Sequence, residues 1–166
     1  MIARRTALMA PLGGVLLAGC SLLPLSDTQQ QELAADLVIA VGVAQDVTVL
    51  LPLLGAPAPA VVAAQALEAT AQAALKAWQQ AHHSTDAVQA LSTASTLYAQ
   101  LPTADAAAVA QLSGLLTAAQ AKQTLPAALA LARALAALRS TVSAQLSAAR
   151  LSAATARARH IQELRQ

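Results

Sequence analysis

Phenylalanine is absent from this chain, and tryptophan and tyrosine occur once each, as Trp78 and Tyr98. Strand-forming aromatics are thus nearly missing, and the valines outside Leu37 to Leu51 are scattered, which excludes a sheet-based fold. Cysteine occurs only as Cys20, so no intramolecular disulfide can form. The six glycines are scattered and build no phosphate-cradling loop, and no Gly-x-Ser-x-Gly nucleophile turn is present. Among the eight acidic residues no two are spaced to divide acid and base work on one helix face. Glu32 and Asp36 are four apart, but both belong to the exposed start of a helix, where they complement its dipole. His82-His83-Ser84-Thr85-Asp86 looks metal-like, yet adjacent residues point in different directions on a helix and no Cys or Glu stands at ligand spacing. It reads as a polar loop, with Ser84 or Thr85 capping the next helix. The expectation is a non-enzyme without metal or cofactor. Nucleic acid is not an expected partner, because the basic residues have no aromatics interleaved with them.

What the chain has is alanine, 46 of its 166 residues. Alanine buries little area but has the highest helix propensity and loses no side-chain entropy on folding. The hydrophobic share of 57% therefore signals helix more than core volume. The predicted fold is all-α, an Ala-rich up-and-down bundle of four or five helices with a long C-terminal helix. Ser26 and Gln29 form the two halves of a capping box for the first helix. Leu33, Leu37, Ala40, Ala44, Val47 and Leu51 then repeat with alternating spacings of four and three, a heptad seam. Val38, Ile39, Val41, Val43, Val49 and Leu50 make the same helix apolar on most sides. Such a helix is central in a bundle or lies in a membrane, and Asp36 and Asp46 favour the bundle.

Pro52, Gly55, Pro57 and Pro59 mark the first reversal. A second helix is predicted from Pro59 or Ala60 to about Ala81, its seam lined by Ala60, Ala64, Leu67, Ala71 and Ala74, with Trp78 as its one large anchor. A third carries Val88, Leu91 and Tyr98 and stops before Pro102. Thr103 is the expected cap of a fourth, whose apolar face is Val109, Leu112, Leu116 and Ala119. The last begins near Pro126, and from Ala127 to Gln166 it meets neither Gly nor Pro. Its inward stripe is Leu131, Leu135, Leu138, Val142 and Leu146. Beyond about residue 147 the stripe thins to alanine and serine, so this part is expected to project or fold back.

The first residues carry the most specific signal. Arg4 and Arg5 precede a short apolar run, Leu8 to Ala18, too short for the ~20 residues that span a bilayer. The run ends in Leu17-Ala18-Gly19-Cys20, which resembles the lipobox of bacterial lipoproteins. The resemblance covers this segment alone, and no family is recognisable in residues 21–166. It implies a signal peptide over residues 1–19, cleavage before Cys20, and covalent lipid on the Cys20 sulfur and the new amino terminus. It further implies a lipidated tether over residues 20–26, and the helical patterning then makes residues 27–166 a single helical domain whose last part, about 147–166, is expected to project or fold back. Two or more acyl chains anchor stably, so the membrane becomes a partner through lipid. Ser21, where that family uses Asp for inner-membrane retention in enteric bacteria, points to the outer membrane, facing the periplasm.

Charge is distributed unevenly along the mature sequence. Seven acids stand against Lys76 alone over residues 21–105, and seven bases against Glu163 alone over residues 106–166. One reading is that helices of opposite charge lie side by side, antiparallel. The other is a basic end that meets an anionic partner. Arg150, Arg157, Arg159 and Arg165 are the candidate contact residues, and an envelope protein, peptidoglycan or a second copy through the C-terminal helix the candidate partners. The expected function is structural or protein–protein contact in the cell envelope. Two alternatives stand beside it. One is a phage-derived envelope lipoprotein of spanin or superinfection-exclusion type. The other is a bundle that binds small apolar ligands, with Trp78 and Tyr98 in the pocket.

Overall fold

A computed structural model describes residues 25–165. The signal-peptide and lipobox positions Leu17, Ala18, Gly19 and Cys20 lie outside the described residues. The rest is an all-α bundle of five helices, the last long and bent: α1 (Asp27–Leu53), α2 (Ala58–Ala81), α3 (Ser84–Ala99), α4 (Ala106–Lys122), and a final rod made of α5 (Leu125–Ala137) and α6 (Arg139–Glu163) joined at Leu138. Short connections make successive helices antiparallel. The final rod consequently runs in the same direction as α1, with Glu32 beside Arg133, Asp46 beside Ser143, and Leu53 level with Arg150.

The capping box forms as predicted, with the Gln29 amide donating to Ser26 Oγ at 3.3 Å and the Ser26 amide donating to Gln29 Oε1 at 3.2 Å. Pro52 does not end α1 but sits in its last turn. Termination comes three residues later. Gly55 adopts a φ of 81°, its amide donates to the Pro52 carbonyl, and the Ala56 amide donates back to the Leu51 carbonyl. That doubly bonded reversal needs a left-handed residue, which glycine supplies without strain.

Two predicted caps are not used. His82 takes the left-handed conformation with φ 54°, and its amide bonds the Trp78 carbonyl, so α2 ends within one residue. Only His82 and His83 then link α2 to α3, and Ser84 and Thr85 fall inside the first turn of α3 instead of capping it. At α4 the cap is Asp105, whose Oδ1 accepts from the Ala107 amide at 3.0 Å. Thr103, the expected cap, instead donates its hydroxyl to Gln145 Oε1 on α6 at 2.9 Å.

Helix α1 is the centre. It packs against α2, α3, α5 and α6, whereas α4 reaches only α3 and α5. Its whole predicted seam is buried, and Val41, Val43 and Leu50 are buried with it. Ala64, Ala71, Ala74 and Trp78 are the buried residues of α2, so alanine brings the α2 backbone close to its neighbours. The enclosure of α1 is incomplete. Val38 and Val49 are 51% and 44% exposed, on a strip left open between α2 and the final rod. Helix α1 and the final rod are each long and apolar enough to cross a membrane, but half of the apolar window of α1 is buried inside the bundle.

The bend at Leu138 has no proline or glycine behind it. The Leu138 amide bonds the Leu135 carbonyl, three residues back, so one turn tightens before the α-helix resumes with Val142 bonded to Leu138. The buried side chains shift with it, from Leu131 and Leu135 on α5 to Val142 and Leu146 on α6.

These environments separate two neighbouring substitutions on one helix. Leu37→Ala removes a side chain with no exposure and is expected to lower unfolding free energy by about 2–5 kcal/mol. Val38→Ala, one residue on and half exposed, should change it by less than about 1 kcal/mol, and urea denaturation followed by circular dichroism measures both.

Candidate interaction surface

The four candidate arginines divide into two groups. Arg150 belongs to the bundle, on the rim of an open cleft of about 540 Å³ whose walls include Val49 and Leu53 of α1 and Val61 and Glu68 of α2. Arg150 and Glu68 share this cleft without forming an ion pair. Arg157 and Arg159 lie farther along α6 and Arg165 in the turn that follows it, in a stretch that is exposed from Ala154 onward. Among the described residues none of these three pairs with an acid. The same stretch carries His160, whose Nδ1 stands 4.0 Å from Glu163 Oε2, one turn away on the surface.

The position of this arm follows from the packing. The rod runs parallel to α1 and draws level with its end at Arg150, and Val142 and Leu146 are the only buried residues of α6. The thirteen residues from Leu151 to Glu163 therefore continue past the packed region for about 20 Å at ~1.5 Å per residue. Leu25, where the described chain begins, is buried at the opposite end, near Asp27 and the C-terminal end of α2. The two ends of the described chain, at Leu25 and Arg165, thus stand at opposite poles of the molecule.

The uneven charge of the sequence is only lightly used inside the fold. The sole ion pair between helices among the described residues joins Arg133 of α5 to Glu32 of α1, and both side chains are about half exposed. It links parallel helices, not the antiparallel neighbours expected from the sequence. Charge pairing is therefore not what aligns the helices, since an exposed pair contributes at most ~1 kcal/mol.

Trp78 and Tyr98 are both buried but at opposite ends of the bundle. Trp78 faces the start of α1, with His82 edge-on to its ring at a centroid distance of 5.0 Å. Tyr98 lies near the end of α3, one turn before Leu101. They share no pocket. The indole Nε1 of Trp78 is buried without a hydrogen-bond partner, so the packing of its ring offsets the cost of an unmet donor. No group of three or more His, Cys, Asp or Glu is placed to hold a metal ion among the described residues.

The sequence does not reveal that Val38 and Val49 stay exposed, because it records only that α1 is apolar on most sides and not which side its neighbours leave open.

Exposed, unpaired side chains add little to folding. Replacing Arg157, Arg159 and Arg165 together by Ala is expected to leave the thermal midpoint and helical circular dichroism signal unchanged, because all three are exposed and none is ion-paired among the described residues. A lowered midpoint would mean that the arm folds back onto the bundle.

Comparison of the chain with family models, with curated proteins and with solved structures finds no match in any of the three.

Proposed function

We propose that this chain is a non-catalytic lipoprotein of the bacterial cell envelope. In this reading Cys20 carries the lipid, the bundle serves as a rigid spacer, and the distal arm makes contact with a partner. The observation that carries it is the opposition of the two ends. A chain tethered through residues 20–24 enters the bundle beside Leu25, and the arm bearing Arg157, Arg159 and Arg165 leaves at the far pole.

The physical logic is that of a standoff. Acyl chains contribute about 0.8 kcal/mol per buried methylene, so two or three of them hold the tethered pole at the bilayer. Rigid helices set the distance to the other pole, and three unpaired guanidinium groups there favour carboxylate or phosphate over neutral surfaces. The outer membrane, periplasmic face, is the location that Ser21 after Cys20 supports. Weak packing of the arm keeps its side chains available without weakening the bundle.

The test is an intact-mass measurement on membranes separated by density, from cells making the parent chain or Cys20→Ala. The parent is expected to begin at Cys20, to carry the mass of its acyl chains, and to travel with outer membrane, while Cys20→Ala does not. A parent chain that retains Met1 and carries no lipid contradicts the reading.

A further inference from the structure

The two halves of the final rod are held to the bundle very unequally. Helix α5 packs against α1, α3 and α4 and buries Ala128, Leu129, Leu131, Ala132 and Leu135. Helix α6 packs against α1 alone, apart from its joint with α5, and buries only Val142 and Leu146. Two hydrogen bonds support it. Ser143 Oγ donates to Asp46 Oδ2 at 3.4 Å, a long contact, and Thr103 Oγ1 donates to Gln145 Oε1 at 2.9 Å on the surface, where water replaces it at little cost. On the side of α2, the open cleft of about 540 Å³ keeps solvent between Val61 and Arg150.

Leu138 is the point at which these halves part. The turn there bonds over three residues instead of four, so the helical ladder does not run unbroken from α5 into α6, and no side chain caps α6. Ala137 and Arg139 are exposed, while Leu138 itself is half-buried against the core. The pivot therefore stays seated with α5 when α6 moves.

We infer that α6 is a hinged strap, which leaves α1 as a unit by rotation at Leu138 while α1 to α5 remain packed. The rest of the bundle survives its departure. Helix α1 keeps α2, α3 and α5 against it, and α5 keeps α3 and α4. The closed form is the populated one, because Val142 and Leu146 are buried only there. Local opening costs little at weakly packed ends and the full unfolding free energy in a core, and the hold on α6 sets it well below α5 on that scale. Opening turns Arg157 and Arg159 away from the axis of the bundle, so the distal contact meets its partner from more than one direction. That use rests on the spacer reading, whereas the hinge itself does not.

The experiment uses the full chain with Cys20→Ala and one new thiol, from Val142→Cys, Leu146→Cys or Ala132→Cys, each at a buried position. The rate of reaction with a small disulfide reagent reports how often each site opens. Val142→Cys and Leu146→Cys are expected to react at similar rates, at least about tenfold faster than Ala132→Cys on α5, and with a shallower dependence on urea. Equal rates and equal urea dependence on α5 and α6 overturn the hinge, since α6 then opens only when the whole bundle unfolds. Leu146→Cys reacting far faster than Val142→Cys also overturns it, because that pattern is fraying from the distal end. Urea denaturation of each variant gives its global unfolding rate of exposure, so a destabilised chain is not mistaken for an open one. Ala128→Cys, equally buried on α5, replaces Ala132→Cys if that chain does not fold. Every chain tested carries Cys20→Ala, so neither outcome bears on lipid at Cys20.

Discussion

The structure depends on the burial of one helix by the others. Alanine-rich helices have strong helical propensity but little side chain with which to build a core, and α2, α4 and much of α6 fit that description. Helix α1 supplies what they lack. Leu33, Leu37, Val43, Val47 and Leu50 are without exposure, and each fully buried Leu or Val contributes about 1.5–3 kcal/mol relative to exposure. The alanines play the complementary part, because their small size brings backbones near enough for α1's larger side chains to touch several helices at once. Leucines of α3 and α5 complete the packing, and α4 and the far half of α6 remain peripheral.

That distribution produces a molecule with two different poles. One is finished: Ser26 and Gln29 cap α1, Leu25 is buried, and Trp78 and His82 close the end of α2 beside it. At the other pole the helix that should stop with the bundle does not stop. The composition of α6 accounts for this, because from Ala149 to Ala158 it holds alanine, serine, threonine and arginine with Leu151 as the single large apolar residue. Such a segment stays helical through propensity alone and has nothing with which to pack inward. The proposed spacer, held at one end and reaching at the other, needs no more than this.

Much of the architecture is legible in the sequence. The heptad seam of α1 and the prolines around Gly55 place the central helix and the first reversal correctly, since both are local patterns of large or conformationally restricted residues. The alanine seam of α2 and the start of the last helix at Pro126 are equally readable. The failures are instructive in the same terms. Ser84 and Thr103 are good caps by residue type, but the left-handed turn at His82 and the bond from Thr103 to Gln145 decide otherwise, and both depend on where the chain goes next. The bend at Leu138 leaves no mark in composition. Arg150 shares a helical side with Arg157, yet the end of α1 lies between the levels of the two, which separates a cleft residue from an arm residue. The proposed lipid attachment rests on the leader sequence alone, and the fold bears on it only through the position of Leu25.

The two-pole organisation is tested most directly by the distance from the pole at Ser26 to the arm. Spin labels at Ser26→Cys and Arg159→Cys, in a chain also carrying Cys20→Ala, report it by pulsed dipolar spectroscopy. The length of α1 plus the projecting part of α6 predicts a single population near about 50–60 Å at ~1.5 Å rise per residue. A dominant distance below about half of that would place the arm back along the bundle, and the two-pole organisation argued here would be contradicted.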